Sequence, residues 1–257
     1  MRIVPARNGW LWLIKGFALF RKSPSMWLLL VLAYSIAMTL LGQIRYAGPA
    51  LSTLLLPAFS VSFMVVCAVL DRGGMLRPAH LWSGFHGPLS SLILLGVLYL
   101  LSIGAVLVVA STADDGALMR WLVTGDEPPA EAIRDGSVLR ALMLTAVASA
   151  PVMMAFWFAP VLAAWNGMGA VKALFYSFFA AWRNWRAFLV YGAALALAGI
   201  AFLMLFAVVV IATRGAVEAL RLLATTFTLF LLPTVFASFY ASYRDIFPEN
   251  RIPEGPS

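Results

Sequence analysis

Charged side chains are scarce in this sequence, and their scarcity excludes an ordinary soluble protein. Only 11% of the 257 residues are charged, whereas 63% are apolar, and soluble domains usually carry about 25% charged residues. With a single cysteine, Cys67, a disulfide framework or a cysteine-based metal site is excluded within one chain. The two histidines, His80 and His86, would lie on different faces of a helix, so we expect no metal site there.

Catalytic motifs are also missing. The sequence has no G-x-S-x-G turn, no H-E-x-x-H motif and no glycine-rich phosphate loop. Two fragments, Asp115–Arg120 and Asp135–Arg140, resemble part of the motif of membrane enzymes that transfer phosphoalcohols from CDP-linked donors. They lack the alanine and the two further aspartates of that motif, so we expect loop turns and a helix cap formed by Asp135 and Ser137. We therefore predict a protein that is not an enzyme and has no cofactor.

Long intervals without charge are the dominant feature of the sequence. Six such intervals contain between 22 and 36 residues, and a helix of roughly 20 apolar residues crosses a hydrocarbon core of about 30 Å. In lipid the backbone must satisfy its own hydrogen bonds, and runs of this length favour helices over a barrel. We predict an all-α polytopic membrane protein, a single domain over 1–257. Its six transmembrane helices are expected at about 26–44, 49–70, 88–111, 138–165, 186–213 and 217–243.

Shorter apolar segments precede the first, third and fifth predicted spans, at 8–22, 78–86 and 170–183. They are too short or too interrupted to cross a membrane. In the clearest one, 170–183, apolar residues recur at helical spacing, while Lys172 and Arg183 share another face. This pattern is typical of an amphipathic helix lying in the membrane interface. We therefore predict interfacial helices before spans one, three and five.

An internal three-fold repeat of interfacial helix, span and span is a further hypothesis. Shifting the residue numbers by 65 and by 162 superposes Phe17, Trp82 and Phe179, and each even-numbered span contains a proline. Proline kinks helices, and an Asn-Gly pair is typical of a helix end. The residues predicted to kink or stop helices are Pro57, Pro151, Pro160, Asn166, Gly167 and Pro233.

The distribution of lysine and arginine predicts the orientation. Twelve of the eighteen fall on the face that carries both termini, and six fall on the opposite face. Because short cytoplasmic loops carry the excess of cations, both termini are predicted to be cytoplasmic. The polar segment 112–137 is then an external loop, and 244–257 is a loosely ordered cytoplasmic tail. Orientation explains the net charge of +7, and no nucleic-acid partner is required.

Cations on and beside the interfacial segments are the candidate binding residues. Each cation near an anionic membrane surface contributes about 1 kcal/mol of attraction, although orientation alone explains these positions equally well. The candidates for contact with anionic lipid are Lys15, Arg21, Lys22, Lys172, Arg183 and Arg186. The spans carry ionisable groups only near their ends, which disfavours an ion-coupled pump. We predict a role in binding lipid or a membrane partner, including a second copy, with a small-solute or lipid transporter or channel as the alternative.

Three blocks of the sequence resemble a known family. RNGWLWLIKGFALFRK, FWFAPVLAAWNGM with ALFYSFFAAWRNWRAFLVYG, and LPTVFASFYASYRDIF look like an uncharacterised family of six-span proteobacterial inner-membrane proteins. That family is distantly similar to the membrane domain attached to some glycerophosphodiester phosphodiesterases. The resemblance implies a bacterial inner membrane and no assigned activity. The catalytic barrel of the phosphodiesterases is absent, so no enzymatic residue is carried over.

A reporter that is active only in the cytoplasm tests the predicted orientation. Fused to either end of the chain, it is expected to be active, because the excess of cations retains both ends there. The same reporter inserted into the loop 112–137 is the control and is expected to be inactive. An inactive fusion at either terminus would overturn the orientation.

Overall fold

Six long apolar helices make up most of the structure. The computed structural model describes residues 1–45, 47–125, 127–214 and 216–249. In chain order its helices are α1 (Asn8–Lys22), α2 (Pro24–Gly42), α3 (Gly48–Asp71), the 3₁₀ helix η1 (Pro78–His86), α4 (Leu89–Ser111), α5 (Ala117–Thr124), α6 (Ala130–Arg134), α7 (Ser137–Trp157), α8 (Ala159–Asn166), α9 (Ala170–Arg183), α10 (Trp185–Ala212) and α11 (Val217–Ile246). Six spans are long and apolar enough to cross a membrane: α2, α3, α4, α7 with α8, α10 and α11. The prediction of an all-helical protein with six candidate spans is confirmed, and the described residues contain no strand.

The central helix of the bundle is α3. Of its most apolar stretch 61% is buried, against 22% or less in every other span. It packs against α2, α4, α8, α11 and η1. Phe63 of α3 stacks on Phe236 with ring centroids 4.1 Å apart, and it also contacts Tyr34 and the fully buried Trp27. The outer spans surround this helix and expose apolar side chains outward, as a protein dissolved in lipid does.

Three short helices pack against the bundle through small residues. Two glycines of α1 make close crossings, Gly9 with α10 and Gly16 with α11, and Gly84 of η1 crosses α3 in the same way. A Cβ atom added to any of these glycines would collide with the backbone of the facing helix. In α9 the buried positions include Ala173 and Ser177, which face α7 and α8. Close approach at small residues is the usual way in which helices associate in membranes.

Several large apolar residues of α1 and α9 point away from the bundle. In α9 the side chains of Phe175, Phe179 and Trp182 are exposed, and in α1 those of Trp10 and Phe17 are exposed. In α9 the apolar periodicity therefore marks the outward face, and the smaller residues form the packing face. In α1 the packing face also contains the buried Trp12, Leu19 and Phe20. This arrangement leaves aromatic rings available to lipid.

The fourth span is interrupted at Phe158, between α7 and α8. The backbone N–H of Phe158 donates to Ser177 Oγ at 2.8 Å, and this hydroxyl donates to the Met154 carbonyl, also at 2.8 Å. A side chain from α9 thus replaces one hydrogen bond of the helical ladder, which is a recognised cause of a break. Pro160 lies in the first turn of α8. The other predicted kink residues lie within continuous helices: Pro57, Pro151 and Pro233.

The C-terminal ends of the fourth and sixth spans have different structures. Asn166 is the last residue of α8, and Gly167 follows with φ 61°, a left-handed conformation that favours glycine. By contrast, α11 extends into the tail predicted to be loosely ordered from residue 244. Phe247 is buried there against Phe158, with ring centroids 5.4 Å apart. The described part of that tail, 244–249, is therefore anchored by packing; residues 250–257, which include Arg251, lie outside the described residues.

Replacing Gly16 by alanine tests the close crossing of α1 and α11. The added Cβ would lie 2.5 Å from the Thr234 carbonyl oxygen, and overpacking of this kind costs about 1–3 kcal/mol. We expect a lower midpoint of thermal unfolding for the purified protein in detergent. Gly104→Ala in α4 is the matched control, because a Cβ there meets nothing within 4 Å. Equal midpoints for the two variants would contradict the packing described.

Candidate functional site

A cleft lined by charged side chains lies between α1 and the ends of α3 and α11. It encloses about 420 Å³ and is called the polar cleft below. Close packing of α1 on α11 places the lysines of α1 beside the end of that span. Its polar lining residues are Lys15, Lys22, Asp71, Tyr240, Arg244 and Asp245. Three cations thus face two carboxylates and a phenol.

Asp245 anchors the N-terminal segment to the end of α11. Its carboxylate accepts hydrogen bonds from Arg2 at 2.6 Å, from Asn8 Nδ2 at 2.6 Å and from the indole Nε1 of Trp12 at 3.0 Å. The Asp245 side chain is only 7% exposed. A nearly buried carboxylate requires several donors to replace water, and these three supply them. Asp245 is therefore the residue that joins the two ends of the chain.

Asn184 holds the same N-terminal segment from the other side. It lies between α9 and α10 and is 2% exposed. Its Oδ1 accepts the backbone N–H of Val4 at 2.8 Å, and its Nδ2 donates to the carbonyls of Arg2 at 3.2 Å and Ala180 at 2.9 Å. The first residues of the chain are thus bound by both polar ends of one buried amide.

Asp71, at the end of α3, organises the opposite wall of the polar cleft. Its carboxylate accepts the Tyr240 hydroxyl at 2.9 Å, and the Nε of Arg244 lies 4.0 Å away. One residue before Asp71, the carbonyl of Leu70 accepts a hydrogen bond from Lys22 Nζ at 2.9 Å. Lys22 therefore caps the C-terminal end of α3, where a cation also complements the helix dipole.

The polar cleft suits an anionic ligand. Lys15 is exposed within it, and the side chain of Arg244 is 43% exposed although it lies near Asp71. Ammonium and guanidinium groups form strong, charge-assisted hydrogen bonds with phosphate oxygens. Asp71 lies beside Arg244, and the cations of the cleft outnumber its carboxylates, so that positive charge stays available to a ligand.

The structure divides the six predicted lipid-contact residues into two groups. Lys15 and Lys22 line the polar cleft, and Arg21 lies on the same helix outside it, with its guanidinium 6.0 Å from the Phe17 ring. The second group lies on α9 and the start of α10. In that group Lys172 lies 6.0 Å from the Tyr176 ring, Arg186 lies 5.5 Å from the Trp185 ring, and Arg183 is exposed.

An apolar groove of about 590 Å³ lies beside the second group, between α7 and the junction of α9 with α10. We call it the apolar groove. Next to it, in the middle of the bundle, is a central cavity of about 290 Å³ that is lined almost entirely by apolar and aromatic residues. Met153 and Trp157 line both spaces. These two side chains therefore form the wall between the groove and the central cavity.

Hydroxyl groups of α11 are used in contacts between and within helices. Ser238 Oγ and the Tyr191 hydroxyl are 2.8 Å apart, which joins α11 to α10. The Tyr243 hydroxyl donates to Asn166 Oδ1 at 3.2 Å. Thr228 and Thr234 donate to carbonyls of their own helix. These bonds are the use of hydroxyls that is typical of membrane helices.

The histidines serve local structure in η1. The Nδ1 of His80 accepts the backbone N–H of Arg77 at 3.0 Å, and His86 Nδ1 lies 3.0 Å from the Trp82 carbonyl oxygen. Burial, and secondly the charge of Arg77, lower the pKa of His80, so that its neutral, accepting form is favoured. Within the described part of the chain, no group of three His, Cys, Asp or Glu residues could hold a metal ion.

The two acidic fragments of the loop form turns. The Asp114 carboxylate accepts the backbone N–H groups of Gly116 at 3.0 Å and Leu118 at 2.6 Å. Asp135 accepts the backbone N–H of Ser137 at 2.8 Å, and this hydrogen bond is the main reason that the pKa of Asp135 is lowered. The carboxylates of Asp114, which directly precedes the first fragment, and of Asp135 are thus engaged with local backbone.

Sequence reasoning missed four residues of the polar cleft: Asp71, Tyr240, Arg244 and Asp245. A signal was available for the two acids, since each lies at the end of a span on the face where cations dominate. Such a position favours ion pairing. For Tyr240 we find no sequence signal, because its partner Asp71 is 169 positions away.

The fold and these sites define a polytopic membrane protein. Over 253 residues the chain is 35% identical to a protein of Burkholderia thailandensis that is named a probable inner membrane protein, and the match covers 95% of this chain and 92% of the relative. The chain therefore belongs to this family of inner-membrane proteins. No family model matches the chain, and no solved structure is similar to it. The similarity to the membrane domain of glycerophosphodiester phosphodiesterases stays a prediction.

Replacing Asp245 by alanine tests the anchoring of the N-terminal segment. Three donors would lose their acceptor, and leaving the buried indole N–H of Trp12 without a partner costs about 1–3 kcal/mol. We expect the N-terminal segment to become sensitive to a protease that the native protein resists. Glu249→Ala removes an exposed carboxylate from the same end of the chain and is expected to leave the protease resistance unchanged. Equal cleavage of both variants would show that Asp245 is not the anchor.

Proposed function

We propose that this protein is a non-enzymatic inner-membrane protein that binds anionic phospholipid head groups in the polar cleft. The observation that carries the proposal is the convergence of Lys15, Lys22 and Arg244 on one cleft. Each of these residues is charged at neutral pH and carries N–H donors suited to phosphate. The cleft lies at the end of the bundle where α3 and α11 terminate, which is where head groups meet a membrane protein.

Both termini are proposed to be cytoplasmic, so that the polar cleft opens to the inner leaflet. The charge distribution supports this orientation, because twelve of the eighteen cations lie on that face. The exposed aromatic faces of α1 and α9 support an interfacial position for these helices, since tryptophan and tyrosine are enriched at the level of the head groups. The same position would place the exposed cations of α1 and α9 beside anionic lipid.

The three-fold repeat is also part of the proposal, and the packing of the short helices supports it. Each short helix packs on an even-numbered span. The contacts are η1 on α3, α9 on α7 and α8, and α1 on α11, the sixth span. In two of the three, a glycine crosses the span just after its proline. Gly84 meets Ala58 and Gly16 meets Thr234, which directly follow Pro57 and Pro233. The two glycines are 68 positions apart, three more than the 65-residue shift that superposes the aromatic residues.

Transport of lipid is the second candidate function. The apolar lining of the central cavity favours a hydrophobic cargo over a polar solute. The hydrogen bonds of the α11 hydroxyls, which link helices, also disfavour a polar pathway lined by this span. The binding role stays the leading proposal because the polar cleft requires no movement of the helices.

Binding of phosphatidylglycerol to variants of α1 tests the proposed function. The purified protein is placed in phosphatidylcholine nanodiscs with increasing amounts of phosphatidylglycerol, and retained lipid is counted by native mass spectrometry. Replacing Lys15 by glutamine is expected to weaken retention of phosphatidylglycerol roughly fivefold, since one cation near the membrane surface contributes about 1 kcal/mol.

Arg21→Gln is the matched control for this experiment. It removes the same charge from the same helix, but Arg21 does not line the polar cleft. Its effect is expected to be clearly smaller than that of Lys15→Gln. If both variants weaken retention equally, the attraction is a general property of the basic surface and the polar cleft is not a binding site.

A further inference from the structure

The apolar groove has the dimensions of one leaflet. Its α10 lining extends from Trp185 to Leu195, and ten residues of helix rise about 15 Å. This length is half of a hydrocarbon core of about 30 Å. The volume of about 590 Å³ falls within the usual range for ligand pockets, roughly 300–1,000 Å³. The groove therefore matches the depth that an acyl chain of a single leaflet occupies.

The rim of the apolar groove is positively charged. Trp182 and Trp185 line its end at the junction of α9 and α10. The Arg186 guanidinium lies 5.5 Å from the ring centroid of Trp185, a cation–π contact that holds the charge at this end. The exposed Arg183 is on the same junction. The N-terminal end of α10 adds the positive pole of a 28-residue helix. An anionic group is thus complementary to the rim, and hydrocarbon is complementary to the interior.

The inner wall of the groove is built from aromatic side chains. Trp157 contacts Phe188 and Tyr191 with ring centroids 5.3 and 5.8 Å apart, and it contacts Phe239 at 4.9 Å. Beside it is Met153, an unbranched side chain that adapts to irregular spaces. A rigid ring and an adaptable thioether therefore separate the apolar groove from the central cavity.

From these observations we infer that the apolar groove binds an acyl chain of an anionic bilayer phospholipid, whose phosphate lies at Arg186. This site is separate from the polar cleft and does not depend on it. The occupant is a bilayer lipid because the groove opens beside apolar helices that face the membrane and combines a hydrocarbon-lined interior with a cationic rim. The lipid belongs to the same leaflet as the polar cleft, since the start of α10 and the end of α11 lie at one end of the bundle, where both contact α1.

Photochemical labelling with a lipid probe tests this site. The probe is phosphatidylglycerol with a diazirine in one acyl chain, incorporated into nanodiscs that contain the full-length protein. Irradiation followed by peptide mass spectrometry is expected to place the label on groove residues, above all Met153 and Leu195. Label spread evenly over outward-facing residues such as Leu101 of α4 or Leu203 of α10 would overturn the inference, because it would show only the general lipid belt.

Filling the apolar groove provides the decisive variant. Gly192 lines the groove and has open space where its Cβ would be, so Gly192→Phe is expected to reduce labelling of Met153 to background. Gly199→Phe is the matched control on the same helix: its Cβ also meets nothing within 4 Å, and Gly199 does not line the groove. Equal labelling of Met153 in the two variants would contradict the proposal.

A charge variant tests the head-group part without filling the groove. Arg186→Gln is expected to lower labelling by the phosphatidylglycerol probe roughly fivefold and to leave labelling by the matching phosphatidylcholine probe unchanged. An equal loss with both probes would overturn the role of Arg186. Lys15→Gln, which tests the polar cleft, is expected to leave the label on Met153 unchanged. If Lys15→Gln removes the label from Met153, the two sites are not separate and this inference fails. Weak head-group retention at the polar cleft alone would count only against the proposed function.

Discussion

Close contact between helix backbones is the interaction on which this bundle depends. Apolar side chains gain little by leaving lipid for a protein interior, so membrane helices associate through tight packing and buried hydrogen bonds. Gly9, Gly16 and Gly84 allow such contact where the short helices cross the spans. Ser177 adds a hydrogen bond inside the fourth span. The aromatic residues of α9, like Trp10 and Phe17 of α1, can then face outward, because small residues on the other side contribute to the packing.

Packing of α1 also determines where the N-terminal segment lies. Since α1 packs on α10 and α11, the first and last parts of the sequence lie side by side, and Asp245 and Asn184 bind the N-terminal segment between them. The polar cleft exists only because of this closure. Its lysines come from α1, whereas Tyr240 and Arg244 come from the last turns of α11. Buried polar contacts at the end of a bundle thus both hold the chain together and position the cations.

The two sites present different chemistry to the same leaflet. The polar cleft combines cations and carboxylates and suits a head group, whereas the apolar groove has a hydrocarbon interior with arginine at its rim. Both sites contain lysine or arginine residues whose positions the membrane orientation alone would also explain. What distinguishes them from a general basic surface is geometry: Lys15, Lys22 and Arg244 line one cleft, and Arg186 lies over the ring of Trp185, which lines the apolar groove.

The sequence by itself determined the class of fold and identified most of the cations of the two proposed sites, among them Lys15, Lys22 and Arg186. Backbone in lipid must hydrogen-bond to itself, so six charge-free intervals of this length become six helices. Neither the outward direction of the α9 aromatic stripe nor the residues of the polar cleft follow from the sequence. Helical periodicity identifies an apolar face but does not say whether protein or lipid covers it. The bond between Arg2 and Asp245 joins positions 243 apart, and only the tertiary structure brings such residues together, because local spacing carries no information about a contact across the whole chain.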